Sequence, residues 1–335
     1  MHPAPTRSFR IDHDSAVHLA AAGARTLAQR CGLRGAMPER AAVVASELGS
    51  NLAKHAAGGI LYLQPAPLGG GIEIAAADRG PGMAELERCL RDGYSTTGTL
   101  GSGLGAVRRI ATDFTIRTER GTGTLACARL LAPGHPAARL DVGTVCLAAD
   151  GETQCGDTCA VADTGASRTA VVIDALGHGA HAEEVARSGL TAFRRDPSMP
   201  LPELLSALHK ALRRSRGAAV LLMRVHEGSA EFCGAGNVRC QIVSPDRVTH
   251  GPSGPPGIVG WKMPLPKVHR VPLTPGSVAV VHTDGIDPRW PGARRPFLHR
   301  LPPPLLALAL AHGHRLSRDD ATVLTATALR RTHDH

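Results

Sequence analysis

The sequence predicts an α+β chain built from two domains. Three observations carry this. At 335 residues the chain is long enough to bury two cores. A Pro/Gly/Ala-rich stretch, A-P-G-H-P-A-A at 132–138, interrupts otherwise patterned sequence and separates a domain at 1–131 from one at 139–335. Before it, two helical patterns precede a group of strands. After it, short apolar runs that end on aspartate alternate with helical stretches.

Composition describes a globular protein, with 43% hydrophobic and 20% charged residues. Aromatic residues are only 3%, so the cores must be built from Ala, Leu, Val and Ile. The formal net charge is +9, but the arginines are scattered in pairs such as Arg108-Arg109, Arg194-Arg195 and Arg294-Arg295. Without a long basic run or interleaved aromatics, nucleic acid is not expected as a partner. The eight cysteines lack paired C-x-x-C spacing, and Cys155 and Cys159 do not match a zinc knuckle. They read as small buried hydrophobes with reduced thiols. Met1 to Asp14 contains no apolar run, and the longest one, Leu305 to Ala311, is too short to span a bilayer. No signal peptide, no membrane partner and a cytoplasmic location are expected.

In chain order, Ser15–Cys31 is an amphipathic helix ended by Gly32. Pro38 opens a second helix that runs to about Ala57. It carries Glu47, Asn51 and His55 at i, i+4 and i+8, which puts a carboxylate, an amide and an imidazole on one stripe. Such a stripe also suits a plain solvent-facing surface. Strands follow at Gly59–Gln64 and Gly71–Ala77, the second running into D-R-G-P-G-M at 78–83. Residues 84–100 are polar and mixed, with Ser95, Thr96 and Thr97, and read as a lid. Gly101, Gly103 and Gly105 then open a helix at Ala106–Asp113, where backbone N–H groups and the helix dipole suit an anion. A hairpin, Phe114–Glu119 and Thr122–Leu131, closes the domain.

The order Glu-x-x-x-Asn on a helix, Asp-x-Gly-x-Gly after a strand, Gly-x-Gly-x-Gly at a helix start and Gly-Thr in a final hairpin resembles the GHKL (Bergerat) ATP-binding fold. The RsbT-type switch kinases and anti-sigma-factor kinases are the most similar branch. The resemblance spans about Ser15 to Leu131 and implies an α/β sandwich that binds ATP. It implies that Asn51 holds Mg²⁺ between phosphates and that Asp78 accepts the adenine amino group. Gly80 and Gly82 would give the base room. Gly101, Gly103, Gly105 and Thr124 would line the phosphates, and Glu47 would act as the base. Oxygen ligands suit Mg²⁺, and phosphoryl transfer is mostly positioning and charge neutralisation.

In the second domain, strands are expected at Leu140–Ala149, Thr158–Ala162, Val171–Asp174, Ala218–Val225, Ala230–Gly234, Arg239–Val243, Val278–His282 and Ala321–Ala326. Helices are expected at Ala180–Arg194 and Leu201–Arg214, with a long loop at Gly251–Pro266. Asp157, Asp174, Asp284, Asp319 and Asp320 all fall at strand ends or starts. An aspartate between strand and helix is often only a turn residue or N-cap, but the device recurs. Carboxylates gathered on one rim repel unless cations neutralise them, and two metals about 4 Å apart can hold a hydroxide nucleophile against a phosphoryl group.

Gly-Asp at 156–157, V-V-I-D-A-L-G-H-G at 171–179, H-T-D-G-I at 282–286 and D-D-A-T-V-L at 319–324 resemble the metal-dependent protein phosphatases (PPM, type 2C), in their compact SpoIIE/RsbX branch. This implies a β-sandwich flanked by helices, over about Leu140 to Leu329. It implies a centre of two Mn²⁺ or Mg²⁺ held by Asp157, Asp174, the Ala175 carbonyl, Asp284 and Asp319. Ala175 stands where that family usually has glycine, which leaves a backbone ligand intact. The larger enzymes use an added N-terminal arginine for phosphate, and no counterpart stands here. Together the two resemblances imply partner switching, with a phosphorylated STAS-domain antagonist of a sigma factor as partner. Two other classes remain open. One is a nucleotide-controlled scaffold with an inactive phosphatase-like domain. The other is a serine kinase whose C-terminal domain only recognises its target.

Overall fold

The computed structural model of the chain describes residues 5–56, 58–90, 103–135, 140–292 and 296–329. The expected lid residues Ser95, Thr96 and Thr97, the phosphate-loop residue Gly101, and 136–138 of the expected linker lie outside them. The chain divides into two compact units, residues 6–140 and 141–335.

In the first unit β1 (Arg7–Arg10) is followed by α1 (Asp14–Arg30), α2 (Met37–His55), β2 (Ile60–Pro65) and β3 (Gly71–Ala77). Then come α3 (Leu86–Cys89), α4 (Gly103–Ile110), β4 (Asp113–Glu119) and β5 (Gly123–Leu131). The strands form an antiparallel sheet in the order β1-β2-β3-β5-β4. The helices cover one face, joining Ala24, Val44, Leu48 and Val107 to Leu61, Ile74 and Ala126 in one core. Small residues allow the close approach: a side chain at Gly49 would meet Val17 of α1 at 3.1 Å. Helix α1 stops where Gly32 takes φ +81°, the left-handed geometry a C-terminal glycine supplies.

The other face of this sheet carries a polar row. Gln64 pairs with Glu73 and Glu73 with Arg129 in register. Gln64 Nε2 donates to Glu73 Oε1 at 2.7 Å, and Arg129 Nε donates to Glu73 Oε2 at 2.7 Å. All three are buried, so neither charge can lose its partner cheaply.

The second unit contains β6 (Val142–Leu147), β7 (Asp157–Asp163), β8 (Arg168–Ala175), α5 (Gly179–Arg195), α6 (Leu201–Leu212), β9 (Ala218–His226), β10 (Ser229–Ala235) and β11 (Arg239–Val243). These are followed by β12 (Val248–His250), β13 (His269–Pro272), β14 (Val278–His282), α7 (Pro296–His299), α8 (Pro303–His314) and β15 (Ala321–Ala326). Two sheets form, ordered β13-β10-β9-β8-β7 and β12-β11-β14-β15-β6. Their inner faces share a core that includes Val172, Leu221, Phe232, Cys240, Val281 and Leu324. Helices α5 and α6 cover the outer face of the first sheet through Val185, Phe193, Leu205 and Leu208. Helix α8 packs on β6 and β15 of the other. The result is a four-layer helix–sheet–sheet–helix sandwich.

Three strands and three helices have no counterpart in the sequence reading: β1, β12, β13, the short α3 and α7, and α8. The seven apolar α8 positions from Leu305 to Ala311, and the two prolines before them, explain the last case. Leu305 to Ala311 are buried on every side, so no amphipathic period marks them as a helix. No helix among the described residues is long and apolar enough to cross a membrane.

Candidate functional site

Strands β7 and β8 run antiparallel, and their register sets Asp157 directly opposite Asp174. Directly paired strand positions hold their side chains about 4.5–5.5 Å apart at Cβ. Like charges there are unfavourable, so the pair is a strained feature unless something positive joins it. Asp157 is buried at 4% exposure. Burial, and next the Asp174 carboxylate, push its carboxyl well above the ordinary carboxylate range. The Thr283 hydroxyl, donating to Asp157 Oδ2 at 2.6 Å, works the other way.

Asp174 is pushed up to about 7, first by burial and then by the Asp284, Asp319 and Asp320 carboxylates. Asp284 follows β14 and is exposed. Asn237 Nδ2 donates to its Oδ2 at 2.7 Å, which fixes its orientation. Asp319 precedes β15, and burial, then Asp284, raise its carboxyl. The four aspartates named from the sequence are thus electrostatic neighbours, at the ends of strands from both sheets.

Asp320, next in the chain, does something else. Its Oδ1 accepts from Ala149 N at 2.8 Å and its Oδ2 from Gly156 N at 2.6 Å. It ties the segment before Asp157 to the end of β6. Ala175 N donates to Gly156 O at 3.1 Å, which locks the same segment to the end of β8. Gly285 is required for closeness, since a side chain there would overlap the Asp320 carbonyl.

Thr283, Asn237 and Asp320 are the residues that sequence reasoning left without a role. Each had a signal. Thr283 stands inside the quoted H-T-D-G-I run, Asn237 follows a glycine just before the Arg239–Val243 strand, and Asp320 stands beside Asp319 in D-D. What was missing was the direction of each side chain, which only the sheet register supplies.

Among the described residues no three His, Cys, Asp or Glu side chains already form a closed ligand set for a metal ion. The donor set nevertheless fits a hard divalent cation. It consists of carboxylate oxygens, and two of its members, Asp157 and Asp174, are raised above the ordinary carboxylate range by burial and by neighbouring carboxylates.

In the first unit Glu47 and Asn51 lie on α2, half-buried. Asn51 Nδ2 is buried with no hydrogen-bond partner, an arrangement that awaits an acceptor. Asp78 follows β3. Its Oδ1 accepts from Gly80 N at 2.7 Å, and burial raises its carboxyl above the ordinary range. Gly80 and Gly82 serve packing in this fold. A side chain at Gly80 would come within 3.0 Å of His55 O, and one at Gly82 within 2.5 Å of Glu119 O. Thr124 is buried, 3.1 Å from the Thr118 hydroxyl. Gly103 begins α4 and Gly105 lies in its first turn. Asp78 N donates to Thr124 O at 3.0 Å, and a side chain at Gly80 would touch Asp78 and His55, so α2, β3 and β5 meet at one end of the sheet.

Comparison with known proteins follows the same division. The SpoIIE family, stage II sporulation protein E, matches residues 165–328. The serine/threonine-protein kinase RsbT of Bacillus subtilis (strain 168) is 32% identical over 102 residues, 30% of this chain and 77% of that protein. The phosphoserine phosphatase RsbX of the same organism is 25% identical over 140 residues, 41% of this chain and 70% of that protein. A solved structure from work on the bacterial stressosome, a modular system adapted to control secondary messenger signaling, aligns with a TM-score of 0.50 and 28% identity. It covers 56% of this chain and 98% of its own. The chain belongs to the RsbT family, and its residues 165–328 match the SpoIIE family.

Proposed function

We propose that residues 141–335 hydrolyse phosphoserine or phosphothreonine on a protein, releasing inorganic phosphate and the free hydroxyl side chain. One observation carries the reading: Asp157 and Asp174 are cross-strand partners with Asp284 and Asp319 as charged neighbours. A purely structural role does not account for four carboxylates gathered on one rim, with Asp157 buried and Asp174 half-buried among them.

Asp157, Asp174, Asp284, Asp319 and the Ala175 carbonyl would hold two Mn²⁺ or Mg²⁺ ions. When bound, these supply charge neutralisation at the phosphoryl oxygens and a water acidic enough to attack near neutral pH. The chain's own residues prepare that site. The Thr283 hydroxyl holds Asp157, the Asn237 amide orients Asp284, and the Asp320 carboxylate pins the segment that carries Asp157. Such bonds keep acceptor oxygens aimed at one point, which is the protein's main contribution to phosphoryl chemistry.

The first unit is proposed to bind ATP with Mg²⁺ in a Bergerat-type sandwich. Asn51 would reach the metal and phosphates, Asp78 would take the adenine amino group, and Gly103 and Gly105 would face the phosphates. Its orphaned Asn51 amide supports this. Glu47 is proposed as the base for transfer to a serine hydroxyl. The partner proposed for both units is a STAS-domain antagonist in the cytoplasm, phosphorylated by one activity and dephosphorylated by the other. Its support is the joining of an RsbT-like and an RsbX-like segment in one chain.

The test is phosphate release by the full chain from a phosphoserine STAS-domain protein, with Mn²⁺ and with EDTA, and transfer of labelled γ-phosphate to the unphosphorylated form. Metal-dependent release supports the phosphatase. Release unaffected by EDTA, or none, rejects it.

A further inference from the structure

A groove of 540 Å³ lies between α5 and the turn that joins α6 to β9. Its polar lining is His181, Glu184, Ser188, Arg214, Ser215 and Arg216, with Leu176 as an apolar wall. The groove adjoins the carboxylate rim through backbone pairing. Ala175 is the register partner of Ala218, and Leu176 N donates to Gly217 O at 3.0 Å. One step further, Gly177 stands opposite Arg216. A methyl group added at Gly177 would lie 3.1 Å from Arg216 Nη1. The guanidinium therefore sits over the loop that leaves Asp174.

The turn is held in place before any ligand arrives. Ser215 Oγ donates to Leu212 O at 2.8 Å and accepts from Gly217 N at 3.0 Å. Gly217, at φ +82°, supplies the reversal that a side chain would resist. Arg214 and Arg216 are exposed, and neither has an ion-pair partner among the described residues. Leu176 is 40% exposed, unusual for a leucine beside a site. The groove thus offers the Arg214 and Arg216 guanidinium groups, an apolar wall and hydroxyls, with Glu184 and His181 on its α5 side, next to a rim of carboxylates that by itself would repel a phosphate dianion.

We propose that this groove docks the phosphoserine-bearing segment of the substrate. Arg216 binds the phosphoryl oxygens, Arg214 binds an acidic side chain flanking the phosphoserine, and Leu176 packs against an apolar neighbour. The assignment rests on the hydrolase reading of the adjacent rim and adds how that rim acquires its substrate. The guanidinium fork suits phosphate oxygens bidentately, so lysine is an incomplete substitute.

The test uses the full chain and two readouts. The first is KM and kcat with Mn²⁺ on p-nitrophenyl phosphate and on a phosphoserine peptide with acidic flanks. The second is binding of the same peptide to the metal-free protein. Arg216→Ala raises KM on both substrates and weakens peptide binding by about tenfold or more, as loss of one charge-assisted hydrogen bond implies. Arg216→Lys recovers part of it. Arg214→Ala raises KM for the peptide more than for p-nitrophenyl phosphate. Arg195→Ala, at the far end of α5, changes neither.

Wild-type KM and peptide affinity in both groove variants overturn the proposal, and so does an equal effect from Arg195→Ala, which marks general charge attraction. Peptide binding that depends on Arg216, in a chain that releases no phosphate, rejects hydrolysis and leaves the groove standing. Phosphate release with KM unchanged in the variants does the reverse.

Discussion

Asp157 and Asp174 are direct cross-strand partners at the ends of β7 and β8, and the Asp174 carboxylate raises the proton affinity of Asp157. Two carboxylates set face to face in a sheet cost stability, and in the proposed metal centre a divalent cation would relieve that cost. Mn²⁺ at a hundred times its Kd should add about 2.7 kcal/mol of unfolding free energy. For a unit of this size that is a rise of about 5–10 °C in melting temperature. Calorimetry with Mn²⁺ and with EDTA checks it. Identical melting curves would mean that the rim binds no cation.

Asp319 and Asp320 are adjacent but have separate work. Asp320→Ala removes the acceptor of two backbone N–H groups, from Ala149 and Gly156. Each unsatisfied donor costs about 1–3 kcal/mol, so urea unfolding should show a loss of about 2–6 kcal/mol for the two. Asp319→Ala should leave the urea midpoint near that of wild type and remove phosphate release. Equal destabilisation by both would contradict this division.

Gly285 is needed because β14 ends against the backbone of Asp320. Gly285→Ala forces those strands apart at the residue next to Asp284. Overpacking of this kind costs about 1–3 kcal/mol. A loss of Mn²⁺ affinity should accompany it in a metal titration, because Asp284 moves with its neighbour. Unchanged affinity would show that the Asp284 position tolerates the shift.

In the first unit, Asn51→Ala should abolish ATP binding while leaving stability nearly unchanged, since its Nδ2 has no partner to lose. Asp78 has a pH signature. Its folded carboxyl holds a proton more tightly than the ordinary 3.8, through burial. The folded state therefore binds more protons than the unfolded one, and this group lowers stability as pH rises through its raised folded value. Asp78→Asn removes that cost, so its melting temperature relative to wild type should be higher at pH 8 than at pH 4. A difference that is the same at both pH values would contradict the burial effect.

Much of this arrangement was legible in the sequence. The apolar run into Asp174, the Pro-initiated α2 and the Gly71–Ala77 strand follow directly from side-chain period and backbone punctuation. The four rim aspartates were legible because each interrupts an apolar strand at its end. Four kinds of fact were not. Helix α8 is buried all round and has no period. Strands β12 and β13 are three and four residues long and largely exposed at sheet edges, too short and too polar to announce themselves. The roles of Thr283, Asn237 and Asp320 depend on contacts between residues 47 to 171 positions apart. Arg216 reads in sequence as one of many scattered arginines, and only the β8–β9 register brings it beside Gly177.

The central claim is that the aspartate rim hydrolyses phosphoserine. The most direct measurement is phosphate release from a phosphoserine protein by wild type and Asp174→Asn at saturating Mn²⁺, with circular dichroism confirming that both are folded. The account predicts metal-dependent turnover in the wild type, lost by about a thousandfold or more in the variant, as removal of a metal-holding carboxylate implies. A folded Asp174→Asn variant that keeps the wild-type rate would contradict it.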